Sequence, residues 1–425
     1  MHPCILGVVM SDDIIKMDRL DWGLTFIIGL GFFTTGITWS LYNSYVPIFL
    51  REIITNDPYW YMLLGAWINT FIGIVMILDN IAAITLQPWI GAKSDNTWTR
   101  FGRRLPYIMV GIPIAAFFFS LIPITKELIL LLLVITMFNI AMAVYRAPVV
   151  ALMPDIIPSK FRSKANGVIN FMGGVGAVYA FFVGSYLYRW YGPFIAFLTT
   201  SVIMIIALII LVLYVKEPEK PLDVEERISI IQAFKEVTIS DDRSGIFMLL
   251  AIMFWFFAYN IIETWFTTYG ILILGVTEDE ASRALTGFAL AFILSAIPAG
   301  FIATKIGRRK TIIIGLIGIM AILAAVAPLR NLMQIALLLT VGGVFWALIN
   351  INSIVIVWEI GGTEKLGAYT GLYYFFSSIA AIFGPLIAGT IFDMVGFEIM
   401  FWLSVAYMLL ALVCMFFVKS GEVEG

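Results

Sequence analysis

The sequence predicts an all-α integral membrane protein, with twelve transmembrane helices in two six-helix pseudo-repeats and both termini cytosolic. Three observations lead there. First, 61% of the 425 residues are hydrophobic and 13% charged, with mean hydropathy +0.99, against about 45–50% apolar and about 25% charged in soluble domains. Second, apolar runs long enough to cross ~30 Å of hydrocarbon recur twelve times. Third, Lys and Arg concentrate on alternate connections between those runs.

The runs lie at 22–49, 62–90, 106–124, 128–152, 166–188, 194–215, 245–274, 284–303, 311–328, 332–358, 367–392 and 397–418, between charged or Pro/Gly-rich breaks. Residues 1–21 carry Asp12, Asp13 and Asp18 and no small-residue cleavage site, so they read as a cytosolic tail and not as a secretory signal. The longest polar stretch, 216–243, follows the sixth run and divides the chain into six-helix bundles at 22–215 and 244–418. It reads as a cytosolic linker, partly helical over Val224–Glu236. Residues 419–425 form a second cytosolic tail. Of the 26 Lys and Arg, 20 fall on the side of the tails and linker, while Arg51, Lys126, Arg189, Arg283 and Arg330 fall on the other and Arg146 within a run. Cytoplasmic loops are the Lys/Arg-rich ones, which sets the orientation.

The two halves echo each other. The connection from Gly91 to Arg104 after the second run returns as Gly300 to Lys310 after the eighth. Tyr42-Asn43 in the first run returns as Tyr259-Asn260 in the seventh, and Asp155 after the fourth as Glu359 after the tenth. Duplicated transporters are the expected source of such echoes.

Composition also excludes. The 26 Lys+Arg nearly balance 28 Asp+Glu, so no bulk charge points to nucleic acid. Cys4 and Cys414 sit at opposite ends and the only histidine is His2, which leaves no basis for a disulfide framework, a zinc site or histidine catalysis. No metal and no cofactor are expected. A phosphate-cradling loop is absent, which argues against ATP-driven transport.

With these residues in view, the chain resembles a major facilitator superfamily carrier along essentially its whole length. Gly91, Asp95, Arg100, Gly102, Arg103 and Arg104 carry the resemblance, which implies a gating latch: the acidic residue and the arginines hold the halves together on the cytosolic side, the carboxylate facing a helix N-terminus. The second copy has Thr304 in place of Asp95. A loop that only anchors topology is the other reading. Gln87-Pro88, Arg146-Ala147-Pro148, Ala151 to Asp155 and Arg162 to Gly167 are similar to the sucrose-transporter side of the glycoside-pentoside-hexuronide branch. The melibiose-type carboxylate pair is missing, its positions being Ala83 and Gln87, and Asn139 stands at the level of an acidic residue of plant sucrose carriers. Neither coupling site carries over.

Three ionisable residues lie well inside the runs, where a charge costs at least ~2.5–3.5 kcal/mol on insertion scales. Asp79 precedes Gly91 by 12 residues and Arg146 precedes Pro154 by eight, about 18 and about 12 Å along a helix. They are candidates for proton coupling as a pair that forms and breaks, or for a static ion pair. Glu263, sharing a helical face with Asn260 and Thr267, is the third candidate: a ligand for substrate hydroxyls, the proton carrier itself, or a carboxylate reaching external water. Around these lie faces of aromatic and amide residues: Trp39, Tyr42 and Asn43; Tyr259 and Asn260; Trp346 and Asn350; and Tyr373. The resemblance implies that spans one, four, seven and ten line a cavity, which makes these the candidate substrate-binding residues; taken singly, each ring is equally a packing residue.

The reading is a secondary active transporter moving a sugar or glycoside by alternating access, coupled to protons as a symporter and not an enzyme. Its expected partners are a small-molecule substrate and the lipid bilayer, with no nucleic acid, and a monomer in a prokaryotic plasma membrane. The alternative is a carrier of another amphiphile, such as a lysolipid or drug; an intramembrane enzyme or a non-transporting sensor is more remote.

Overall fold

The computed structural model describes residues 20–217, 230–239, 242–361 and 366–419. The expected tails at 1–21 and 419–425 and the middle of the 216–243 linker lie largely outside them. Within them, twelve helices are long and apolar enough to cross a membrane: Trp22–Asn56, Pro58–Asp95, Leu105–Ile124, Leu128–Ile156, Lys164–Tyr191, Pro193–Tyr214, Ser244–Leu274, Glu278–Ile306, Arg308–Val326, Leu332–Gly361, Ala368–Val395 and Phe397–Phe417. These are spans one to twelve below. The linker contributes a helix at Ile230–Ile239.

Span one runs seven residues past its apolar stretch, so Arg51 and Glu52, read from hydropathy as loop residues, are helical. The helix stops where Asp57 and Pro58 stop it. The residue before a proline is pushed out of the α region, and the Asp57 carboxylate then accepts from the N–H groups of Tyr59 (2.9 Å) and Trp60 (3.3 Å) to start span two. Span eight likewise begins at Glu278, ahead of its apolar run, because Thr277 and Glu280 form a capping box.

Span two is not continuous. It consists of α-helical segments Pro58–Leu64, Ile68–Met76 and Leu78–Asp95, with a tight turn at Gly65–Trp67 and a break at Ile77. The last break puts Asp79 in the first turn of a helix, where the dipole favours a negative charge.

The chain forms two compact units: Met1–Leu41 with Ile81–Glu225, and Tyr42–Asn80 with Glu226–Gly425. In the first, span three packs on spans four and six, and spans one and five meet backbone to backbone. A Cβ on Gly36 would lie 2.2 Å from the carbonyl oxygen of Gly173, and one on Gly176 2.5 Å from that of Phe33. Small residues permit such approach, and packing substitutes for the hydrophobic drive that lipid cannot supply. In the second unit, span ten packs on spans eight and nine, and span seven on spans eleven and twelve. The stretch 42–80, half of span one and half of span two, belongs to the first half by sequence and to the second unit by packing.

Candidate functional site

The connection after span two is an ion-pair network built by local sequence. Gly102 has φ 101° and Gly307, its counterpart after span eight, φ 93°, a region that disfavours side chains, so each Gly-Arg-Arg turns sharply into the next helix. In the first unit the Arg103 guanidinium donates to Asp155 Oδ1 (Nη2 to oxygen 2.5 Å) and Arg104 Nε to Asp155 Oδ2 (2.8 Å). Arg104 also donates to Asp95 Oδ1, to Ser94 Oγ (2.5 Å) and to the Gly91 carbonyl (3.2 Å). The second unit repeats the design with Arg308 paired to Glu359, the counterpart of Asp155, while Arg309 donates to the carbonyls of Met415 (3.2 Å) and Phe416 (3.0 Å) at the end of span twelve. Arg100 lies over the Phe101 ring, outside these ion pairs.

Asp95 is thus held by Arg104. The carboxylate at the N-terminus of span three is Glu217, which sequence reasoning passed over as part of the linker. It accepts from the N–H groups of Arg103 (2.8 Å), Arg104 (2.9 Å) and Leu105 (2.7 Å), the uncapped start of span three. Burial pushes the Glu217 carboxyl above its ordinary range, against the pull of those three donors. Burial lowers Arg104 while Asp155 and Asp95 raise it, and the balance is upward, so its charge is held firmly.

The second unit gathers most of the candidate binding residues. The Glu263 carboxylate is hydrogen-bonded by the Asn43 side chain and by the Tyr259 hydroxyl, which donates over 3.4 Å, and Asp79 lies close enough to act on it electrostatically. Tyr259 stacks on Trp346, with centroids 4.8 Å apart and planes 7° off parallel. Phe256, absent from the sequence reading, sets its edge against Tyr259, Trp346 and Tyr373. Tyr373 reaches the Ser353 hydroxyl at 3.3 Å, and Ser353 donates to the Asn350 carbonyl at 2.8 Å. Asn260 donates its amide to the Phe256 carbonyl of its own helix (2.7 Å). Tyr42 is fully buried.

Trp39 and Arg146 fall in the first unit. Trp39 sets its edge against Phe138, with centroids 5.7 Å apart. Arg146 follows Tyr145, which is fully buried. Asp79 belongs to the second unit, and its carboxylate accepts from the neighbouring Asn80 amide (2.7 Å).

A second cluster in the same unit went unread in the sequence. Asp393, near the end of span eleven, accepts hydrogen bonds from Asn69 and Thr70 of span two, and Arg51 of span one donates to the Asn69 side chain.

Comparisons agree with this architecture. The chain is 25% identical over 341 residues to the hexuronate transporter of Bacillus subtilis, covering 72% of this chain and 75% of that protein. It is 26% identical over 160 residues to siderophore iron transporter 2 of Schizosaccharomyces pombe, a match spanning 36% of this chain and about a quarter, 26%, of that protein. A crystal structure of the nucleoside transporter NupG superposes with TM-score 0.69 at 15% identity, covering 93% of this chain and all of that one, a likeness of fold. The model of the Major Facilitator Superfamily matches residues 28–281 and again 271–424, and the chain belongs to that superfamily.

Proposed function

We propose that the protein is a secondary active transporter that moves a sugar or glycoside across a prokaryotic plasma membrane by alternating access, as a proton symporter working as a monomer with both termini cytosolic. The observation that carries this reading is the cluster in the second unit: the Glu263 carboxylate held by Asn43 and Tyr259, beside the stacked Tyr259–Trp346 pair and with Asp79 in electrostatic reach. Aromatic faces suit the C–H face of a sugar ring, while the amide and carboxylate groups suit its hydroxyls. Two carboxylates near each other in a low-dielectric interior repel, and a proton taken up by either relieves that cost. Asp79 and Glu263 are therefore assigned the proton, which is the only cofactor the reading needs. The similarity to a protein named for hexuronate, a sugar acid, supports the substrate class.

Uptake of labelled disaccharides and hexuronates into proteoliposomes, with and without an imposed pH gradient, tests this. Asp79→Asn or Glu263→Gln, each mimicking a permanently protonated group, abolishes gradient-driven accumulation and leaves substrate exchange intact. Full accumulation by both variants refutes the proton assignment. Uptake of a lysolipid or drug with no uptake of any sugar refutes the substrate class.

A further inference from the structure

The turn at Gly65–Trp67 interrupts span two just before Ile68, so the helix Ile68–Met76 starts afresh with no side-chain cap of its own. Its first N–H groups need acceptors in a place where water is scarce. They find them on another helix. The Asp393 carboxylate accepts from the Asn69 N–H (3.1 Å) and side-chain amide (2.7 Å) through Oδ1, and from the Thr70 N–H (2.7 Å) and hydroxyl (2.7 Å) through Oδ2. Four donors and the positive end of a helix thus converge on one charge, contributed from more than 300 residues away in sequence.

Two features make this more than a cap. Arg51 donates to the Asn69 side-chain oxygen Oδ1, lies over the Phe397 ring at 5.6 Å and acts electrostatically on Asp393, which brings span one into the same network. Below it, spans two and eleven touch backbone to backbone: a Cβ on Gly389 would lie 2.4 Å from the Asn69 carbonyl oxygen, and one on Gly73 3.0 Å from that of Pro385. The seam joins stretches 42–80 and 366–395, which the duplication assigns to different halves of the chain.

We propose that Asp393 is a latch at the end of the helices where spans one and two join: it holds span two, and through Arg51 span one, on span eleven, and its hydrogen bonds with Asn69 and Thr70 break each time that end opens. The proposal rests on the alternating-access part of the reading above and not on the substrate. The Asp95 loop follows span two, whereas the Asp393 latch acts near the start of span two.

The test uses the full chain with Cys4 and Cys414 replaced by Ser and a single reporter, Ile72→Cys, one turn beyond Asn69 and fully buried. An impermeant maleimide labels it only when the seam parts. Asp393→Asn accelerates labelling roughly tenfold, as expected when hydrogen bonds to a charged acceptor are lost. Thr70→Val, which removes one hydroxyl donor and preserves shape, gives a smaller acceleration, and Gly389→Ala, which wedges the seam, accelerates labelling by an independent route. Labelling at the parent rate in variants that elute as folded, monodisperse protein overturns the latch. Because labelling is read without substrate, failure of the sugar reading leaves this result unaffected, and loss of the latch leaves the substrate screen intact.

Discussion

Replacing Glu217 with Ala is expected to loosen the linker from the first unit and destabilise it. In the structure one carboxylate satisfies three successive N–H groups at 2.7–2.9 Å, on Arg103, Arg104 and Leu105, all of them buried residues. An orphaned buried N–H costs about 1–3 kcal/mol, and a lost N-terminal cap about 1 kcal/mol on its own. The full penalty for three is not realised, because water follows the missing side chain into the gap, so a loss of about 2–4 kcal/mol is expected. By the scaling for domains of 150–250 residues this lowers the melting temperature of purified protein by roughly 4–16 °C. Glu217→Gln does part of that harm, since its one amide oxygen still accepts from some of these N–H groups while its NH2 group faces the remaining donor. The carboxyl also sets a pH dependence. Its folded pKa is raised by burial from 4.5, so the folded state binds the extra proton, and this proton-linked part of stability, separate from the capping bonds, is fully present below pH 4.5 and is lost as pH rises through the folded value. A thiol-reactive dye melt of parent and Glu217→Gln from mildly acidic to neutral pH checks both claims. An unchanged melting temperature for Glu217→Ala refutes the capping argument, and identical pH profiles for parent and Glu217→Gln refute the linkage.

Asp155→Asn removes the shared partner of Arg103 and Arg104, whose side chains are 8% and 5% exposed, and breaking a buried ion pair from one side costs about 3–5 kcal/mol; a thermal melt should show it as a larger loss than Arg100→Ala gives. Trp346→Ala takes away the partner of Tyr259, and a ring pair is worth about 0.5–1.5 kcal/mol beyond its area; sugar binding by calorimetry is expected to weaken while the protein stays folded, and Asn350→Ala weakens binding in the same assay. Sugar affinity equal to that of the parent in both variants removes these residues from the site.

Much of the architecture was legible in the sequence because a bilayer imposes a local rule: every backbone group in lipid must be bonded within its own segment, so a span shows as an unbroken apolar run. The runs at 106–124, 128–152 and 397–418 lie within a few residues of the helices observed at Leu105–Ile124, Leu128–Ile156 and Phe397–Phe417. Ends were less legible where a cap or a proline, and not hydropathy, sets them. Asp57-Pro58 carries span one through Arg51, and Thr277 starts span eight early, for reasons of hydrogen bonding that an apolar count does not register.

The repeated Gly-Arg-Arg turns were also readable, since positive-φ glycines and adjacent charges act within a few residues of themselves. Partners were not. That Asp155 binds Arg103 and Arg104, that Glu217 caps span three, and that Glu263 meets Asn43 are facts about helices brought side by side across 51, 113 and 220 residues of chain. Asp393 shows the division best. As a residue, it is an unremarked acid at the end of an apolar run. It becomes a helix cap only because span two breaks at Gly65–Trp67 and leaves N–H groups bare beside it, and a hydrogen bond is decided by distance and direction in space, which composition and periodicity do not contain.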